Sequence, residues 1–365
     1  MDQYYMTKAL ALAKLGEGRV NPNPMVGAII VKDNKIIGEG YHMAYGQAHA
    51  EVNAFKNCNE SAEGATLYVT LEPCSHYGKT PPCVELVIRE KVSRVVIGSL
   101  DPNPLVAGRG IRKLQEAGIA VTVGVLEKEC HRLNAVFMKY IVTKMPYVVM
   151  KTAMSLDGKI ATATGQSKWI TGEEARCDVH RLRNKLMGIM VGSRTAILDN
   201  PFLTCRIEGG RNPIPIVVDS QLQLSLKSHL VQNAMTNQLI VATTSRAPEA
   251  KKEILKKAGV QIIETKAKEN HVDLKELMKK LGEQGIDSIL LEGGATLNAA
   301  ALQSGIVDAV KCYISPKIIG GETAKTPVEG KGIYNLEDAI RLENLEVSKL
   351  GEDFCMTGEV KKGEV

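Results

Sequence analysis

Apolar residues recur along this chain in two rhythms: short unbroken runs, and stripes three or four residues apart. Met6, Ala9, Leu10 and Ala13 share one stripe, and Gly16 follows, so a helix over residues 4–15 with a glycine stop is expected. Residues 26–31 and 36–37 are apolar runs separated by Lys32-Asp33-Asn34-Lys35, which predicts a hairpin. The pattern then predicts a helix over 48–56 and a strand over 66–71. A further helix is opened by Pro81-Pro82 and carries Val84, Val87 and Ile88 on one face. A strand at 95–97, a helix at 111–117, a strand at 119–123 and one long helix from 127 to about 142 complete this first part.

Thr143-Lys144-Met145-Pro146 breaks the rhythm, because proline starts a new extended run. Beyond it, strands are expected at 148–153, 188–192, 214–219, 239–243, 260–264, 288–292 and 310–314. Helices are expected at 173–185, 248–258, 272–283 and 295–303. Strands alternating with helices imply α/β sheets covered on both faces. Two domains follow, 1–144 and 146–365, with no repeat between them.

Composition narrows the function. No apolar run reaches the roughly 18 residues of a membrane span, and the opening MDQYYMTKAL lacks a basic stretch followed by an apolar core. A cytoplasmic protein is expected. A net charge of +5 with dispersed basic residues, and aromatics at only 4%, speak against a nucleic-acid groove and a membrane surface and leave a small molecule as the partner. Eight cysteines in a reducing compartment read as metal ligands and buried thiols. Cys58, Cys130, Cys177, Cys205, Cys312 and Cys355 have no ligand spacing and are expected to be small buried residues.

The remaining two cysteines belong to a constellation. His49-Ala50-Glu51 opens a helix, Pro73-Cys74 ends a strand and Pro82-Cys83 opens another helix. His49, Cys74 and Cys83 supply an imidazole and two thiolates, which leaves one position of a tetrahedral zinc open, as catalysis requires. His49 and Glu51 can converge only at a helix N-terminus, since positions i and i+2 diverge along a helix. The start of a helix should also lower the Cys83 thiol. Zinc carrying two thiolates is formally neutral and acidifies its water weakly, so a carboxylate that takes a proton and passes it on becomes useful. That points to hydrolytic deamination with Glu51 as the proton carrier.

These residues resemble the cytidine-deaminase superfamily, whose signature is His-x-Glu with a downstream Pro-Cys-x-x-Cys. Here eight residues separate Cys74 from Cys83. That longer loop, with Asn21-Pro22-Asn23-Pro24-Met25-Val26-Gly27-Ala28 and Asp101-Pro102-Asn103-Pro104, is similar to the riboflavin-pathway pyrimidine deaminases. The likeness continues through the second half, so the whole chain resembles the bifunctional riboflavin-biosynthesis deaminase/reductase family. The resemblance implies a cytidine-deaminase-like α/β/α sandwich followed by a dihydrofolate-reductase-like α/β domain. It implies one Zn2+, and a pocket for a phosphorylated pyrimidine contacted by Asn23, His42, Lys79, Asp101 and Asn103. Asn23 suits a ring edge, having both donor and acceptor.

In the second half the usual dinucleotide fingerprint and the Walker A motif are absent. A strand running into Gly293-Gly294 and then a helix start could face a pyrophosphate, or be only a tight turn. Residues 151–161 and 191–201 resemble the riboflavin-pathway reductase. The likeness implies NADPH as cofactor, with contacts at Ala153, Trp169, Thr195, Asp199, Ser220 and the stretch Gly294, Ala295, Thr296, Leu297, Asn298, Ala299 and Ala300. It implies substrate contacts at Ser167, Arg183, Leu203, Arg206 and Glu292. Arg183 and Arg206 suit a terminal phosphate, although Arg183 could instead sit on a solvated helix face. Trp169 either packs on the cofactor or anchors the core. Lys151 and Asp199 are candidates for polarising the ribose C1 and moving the ring-oxygen proton. An oligomer of identical chains is expected from this class. The rival readings are a nucleobase or tRNA deaminase with an unrelated second domain, and a zinc-stabilised nucleotide-binding protein without catalysis.

Overall fold

A computed structural model describes residues 1–77, 81–103 and 107–361. The chain divides into two compact units, Met1–Lys144 and Met145–Val365. Among the described residues no helix is long and apolar enough to cross a membrane.

The first unit runs α1 (Asp2–Lys14), β1 (Gly27–Lys32), β2 (Lys35–Tyr41), α2 (Ala50–Lys56), β3 (Thr66–Leu71), α3 (Cys83–Arg89), β4 (Arg94–Ser99), α4 (Arg109–Glu116), β5 (Ala120–Val123), α5 (Glu127–Leu133) and α6 (Ala135–Thr143). The expected hairpin forms, with Lys32 paired to Lys35 and the two residues between them at positive φ. Asp33 and Asn34 tolerate that conformation, and the resulting two-residue turn matches the strands' twist. The sheet order is β2-β1-β3-β4-β5. β1 is antiparallel to both β2 and β3, and β3, β4 and β5 are parallel. The ends of β2, β3 and β4 and the start of β1 therefore share one edge. Ala28, Ile30, Leu67, Val69, Val95 and Ile97 pack under α2 and α3 on one face, while Ile29, Tyr68 and Val96 meet α1 on the other.

The long helix expected from 127 to about 142 is broken in two at Asn134. The periodicity continues through the break, so apolar pattern alone did not reveal it. The Asn134 amide is buried and clasps Met25, accepting from Met25 N at 2.8 Å and donating to Met25 O at 2.9 Å. Two buried backbone groups are satisfied by one side chain, and a straight helix is given up for that.

The second unit runs β6 (Tyr147–Ser155), α7 (Glu173–Lys185), β7 (Gly188–Gly192), α8 (Ser193–Asp199), β8 (Ile214–Val218), α9 (His229–Gln232), β9 (Leu239–Thr244), α10 (Glu249–Lys257), β10 (Val260–Thr265), the short ribbon β11 (Ala267–Lys268) and β12 (His271–Val272), α11 (Leu274–Glu283), β13 (Ser288–Leu291), α12 (Ala295–Gln303), β14 (Ala309–Ser315), β15 (Leu342–Leu350) and β16 (Asp353–Val360). The nine-stranded sheet has the order β10-β9-β8-β7-β13-β6-β14-β16-β15. The seven strands from β10 to β14 in that order are parallel. Their carboxyl ends line one edge, where ligands of open α/β sheets bind.

Two antiparallel strands, β16 on β14 and β15 on β16, extend this sheet beyond the sequence expectation. β15 has an exposed, charged run (Leu342–Leu350), so no apolar pattern marks it. The remaining cysteines split. Cys130 and Cys355 are buried as expected, Cys58, Cys205 and Cys312 are half-buried, and Cys177 is exposed on α7, which corrects the uniform expectation.

Candidate functional site

At the shared edge of the first sheet, three chain segments bring donor side chains together. His49 is the residue before α2, with extended backbone (φ −72°, ψ 165°), so its ring stands at the helix end and not along its side. Cys83 is the first residue of α3, and Cys74 lies on the turn leaving β3. Nδ1 of His49 is 3.6 Å from Sγ of Cys74 and 3.3 Å from Sγ of Cys83. All three donor atoms lie within 4.8 Å of one another, the single such group of His, Cys, Asp or Glu among the described residues. One nitrogen and two sulfurs fit a zinc ion with a fourth position left for another ligand.

Glu51 is buried beside these donors, with only 3% of its surface exposed. Burial first, and then the Cys74 thiolate, push its carboxyl up to about 7. The two thiols behave oppositely. Cys74 is held down to about 4, first by its hydrogen bond with Cys83 and then by His49. Cys83 is pushed up by Cys74 and by burial. The expected benefit of a helix start thus goes to the other sulfur: the free amide of Cys83 donates to Sγ of Cys74 at 3.2 Å.

The pocket candidates surround this group. His42 is buried, and its Nδ1 donates to the Ala48 carbonyl at 3.0 Å. Burial disfavours its charged form, so Nε2 accepts from Asn23 Nδ2 at 3.2 Å. The ring also meets His49 edge-on, centroids 5.6 Å apart. Both nitrogens of His42 are thus engaged within the protein, and it supports Asn23 from behind. Asp101 is buried and accepts from the Asn103 amide at 2.8 Å, and burial pushes it up to about 6. Lys79 lies outside the described residues.

Glu72 escaped the sequence reading. It is buried, and its two oxygens accept from Gly108 N and Gly110 N, each at 3.1 Å, at the start of α4. A carboxylate immediately before Pro73-Cys74 was the available signal. A side chain at Gly110 would strike the Pro73 carbonyl at 2.5 Å.

In the second unit Glu292, just past β13, is the centre. Arg183 of α7 meets it with two prongs, Nε to Oε1 at 2.8 Å and Nη2 to Oε2 at 3.0 Å, and its Nη1 donates to the Thr204 carbonyl at 2.9 Å. Lys151 of β6 stands 3.3 Å from Oε2. Burial works to raise the Glu292 carboxyl, and the two cations outweigh it, holding it at about 2. Arg183 is 14% exposed and so is not on a solvated helix face. Its fork is occupied by Glu292. Leu203 is buried at positive φ next to Thr204.

Other expectations change here. Trp169 is 62% exposed and does not anchor the core. The guanidinium of Arg176 stands 4.8 Å from its ring centroid, and Lys317 Nζ donates to the Trp169 carbonyl at 3.0 Å. Ser167 is exposed on the same loop. Asp199 is exposed at the end of α8 and, among the described residues, forms no ion pair with Lys151, so the two are not brought together as a catalytic pair.

The cofactor candidates gather where the parallel strands end. Gly294 precedes α12 in extended conformation, and a side chain there would come within 3.1 Å of Thr195 Oγ1. Asn298 donates to the Pro327 carbonyl at 2.9 Å, while its buried Oδ1 has no hydrogen-bond partner. Ala295 and Ala299 are buried, Leu297 packs toward Gly293, and Thr296 and Ala300 are exposed. Ser220 follows β8 and accepts from Val272 N at 3.1 Å, and Ala153 is half-buried on β6. A side-chain-free turn ahead of a helix start offers free backbone N–H groups to a phosphate, and the unused Asn298 Oδ1 one turn in can accept from a hydroxyl or amide donor of a nucleotide cofactor.

Comparison with known proteins covers the whole chain. The family "Cytidine and deoxycytidylate deaminase zinc-binding region" matches residues 1–99, and the family "RibD C-terminal domain" matches residues 146–356. The chain is 50% identical to riboflavin biosynthesis protein RibD of Actinobacillus pleuropneumoniae over 97% of this chain and 94% of that one. It is 42% identical to the RibD of Escherichia coli K12 over 97% and 98%. Among solved structures, Acinetobacter baumannii RibD superposes with a TM-score of 0.88 at 39% identity, covering 99% of both chains. A diaminohydroxyphosphoribosylaminopyrimidine deaminase/5-amino-6-(5-phosphoribosylamino)uracil reductase of Thermotoga maritima superposes with a TM-score of 0.84 at 37% identity, also covering 99% of both.

Proposed function

Because the chain belongs to the family of riboflavin biosynthesis protein RibD, a bifunctional deaminase and reductase, we propose which of its residues carry each of the two reactions. The first unit hydrolytically removes an amino group from a diaminopyrimidinone ribosyl 5′-phosphate. The second reduces the ribosyl group of the product to ribityl with NADPH. The observation that carries the first assignment is the convergence of His49, Cys74 and Cys83 with Glu51 buried beside them.

His49, Cys74 and Cys83 would hold one zinc ion, which when bound supplies a Lewis acid for activating water. Glu51 takes a proton from the attacking water and delivers it to the departing amine, a task suited to a carboxyl whose affinity for protons lies near neutrality. Asn23, held by His42, meets the pyrimidine edge, and Asp101 and Asn103 line the same pocket.

In the second unit the stretch Gly294–Ala300, Thr195, Ser220, Ala153, Asp199 and Trp169 would hold NADPH, which supplies the hydride. The hydride adds at the ribose C1, the bond from C1 to the ring oxygen breaks, and a proton ends on that oxygen. Lys151, held 3.3 Å from Glu292 Oε2, serves that proton, and Ser167, Arg183, Leu203, Arg206 and Glu292 position the substrate. The test is direct. The purified chain, given zinc, NADPH and the pyrimidine substrate, should release ammonia and oxidise NADPH. Chelation should stop ammonia release while the deaminated substrate is still reduced. Loss of both activities on chelation, with the fold intact, would overturn the division of labour.

A further inference from the structure

His180, on α7, is assigned no role above, yet it stands among the substrate candidates. Its Nδ1 accepts from the Arg206 backbone N–H at 3.2 Å, and its Nε2 stands 3.1 Å from Nη2 of the same arginine. A neutral imidazole has one lone pair for accepting, so it can serve only one of these two donors of Arg206. In the tautomer that serves the backbone amide, the proton sits on Nε2 and faces the guanidinium: two donors and no acceptor. Protonating the ring would not help, because His180 is pushed down to about 4 by burial, then by Arg183 and Arg206, with Lys151 adding to them.

The surrounding charge leaves the same gap. Arg206 is exposed and forms no ion pair with a carboxylate among the described residues. Lys151 and Arg183 share the one carboxylate of Glu292. Three cations against one anion leave two positive charges around a neutral imidazole, which is what a phosphate monoester dianion would balance.

We propose that His180 is a phosphate-binding residue of the reductase site: its Nε2–H and the Arg206 guanidinium donate together to the 5′-phosphate of the substrate, which supplies the acceptor that both now lack. This rests on the reading of the second unit as a reductase of a ribosyl 5′-phosphate. It makes His180 a determinant of specificity for the phosphorylated over the dephosphorylated substrate.

The experiment compares the full chain with His180→Gln and His180→Phe, using the deaminated substrate with and without its 5′-phosphate and NADPH oxidation as readout. Ammonia release by the first unit reports that each variant is folded. His180→Phe should raise KM for the phosphorylated substrate about tenfold with kcat nearly unchanged, the worth of one hydrogen bond to a charged group. It should leave the weaker turnover of the dephosphorylated substrate alone, and His180→Gln, which keeps a donor, should recover part of the loss. An unchanged KM, or equal losses with both substrates, would overturn the role of His180 while the reductase reading stands. If the unaltered chain itself shows no preference for the phosphorylated substrate, the phosphate reading of the site falls and this proposal with it.

Discussion

Each unit sets a glutamate at the heart of its candidate site, Glu51 in one and Glu292 in the other, and the two are driven in opposite directions. Glu51 is buried beside Cys74, Cys83 and His49, and burial pushes it up to about 7. Glu292 is buried as well, yet Lys151 and Arg183 hold it at about 2. Burial alone therefore predicts neither its charge nor its job; the neighbours decide. Glu51 can exchange a proton near neutral pH, and Glu292 is a permanently charged post against which two cations are braced. In the proposed reactions the same side chain is a carrier in one unit and an anchor in the other.

The strongest way to break this contrast is to remove the carrier. Glu51→Gln should lower ammonia release by about 10²–10⁴-fold, the usual worth of a general acid–base group, while the deaminated substrate is reduced at the unaltered rate. A change in both activities would show that Glu51 also holds the fold.

Removing the anchor should act on stability. Glu292→Gln leaves two buried cations facing a neutral amide and should cost about 3–5 kcal/mol in denaturant unfolding of the second unit, with the zinc-dependent activity retained. The pH dependence carries the sign. A carboxyl lowered by folding contributes stability that is present above the usual carboxylate range and is lost as pH falls toward about 2. The unaltered chain should therefore lose stability between about pH 4.5 and pH 2 more steeply than Glu292→Gln. Parallel curves would mean that the cations do not hold the carboxylate down.

The smallest expected effect sharpens the cofactor side. Gly294→Ala places a methyl within 3.1 Å of Thr195 Oγ1, which a small shift can absorb. KM for NADPH should rise a few-fold while ammonia release is unaffected, and a larger loss at saturating NADPH would place Gly294 against the reacting atoms.

The deaminase centre was legible because its chemistry is written in short spacings: His49 and Glu51 two apart, with Cys74 and Cys83 each beside a proline. What sits around it was not. Glu72 and Asn134 act through backbone groups at distant positions, Gly108 and Gly110 in one case and Met25 in the other, and no local pattern announces such partners. The reductase side was readable only through resemblance, since Lys151, Arg183 and Glu292 come from three separate elements and meet only in the folded sheet. The parallel strands were legible from their apolar runs. The exposed strand β15 was not, because pairing along its edge and not burial of its side chains holds it in place.

One position in the first unit has no chemistry of its own and yet governs some. The Pro73 carbonyl occupies the space that any substituent on Gly110 would need. A single added methyl would therefore wedge the helix away from the turn carrying Cys74, and the tether from Glu72 would be pried open with it. Screening for variants with weakened metal retention should look there as well as among the ligands, since a spacer can fail as completely as a donor.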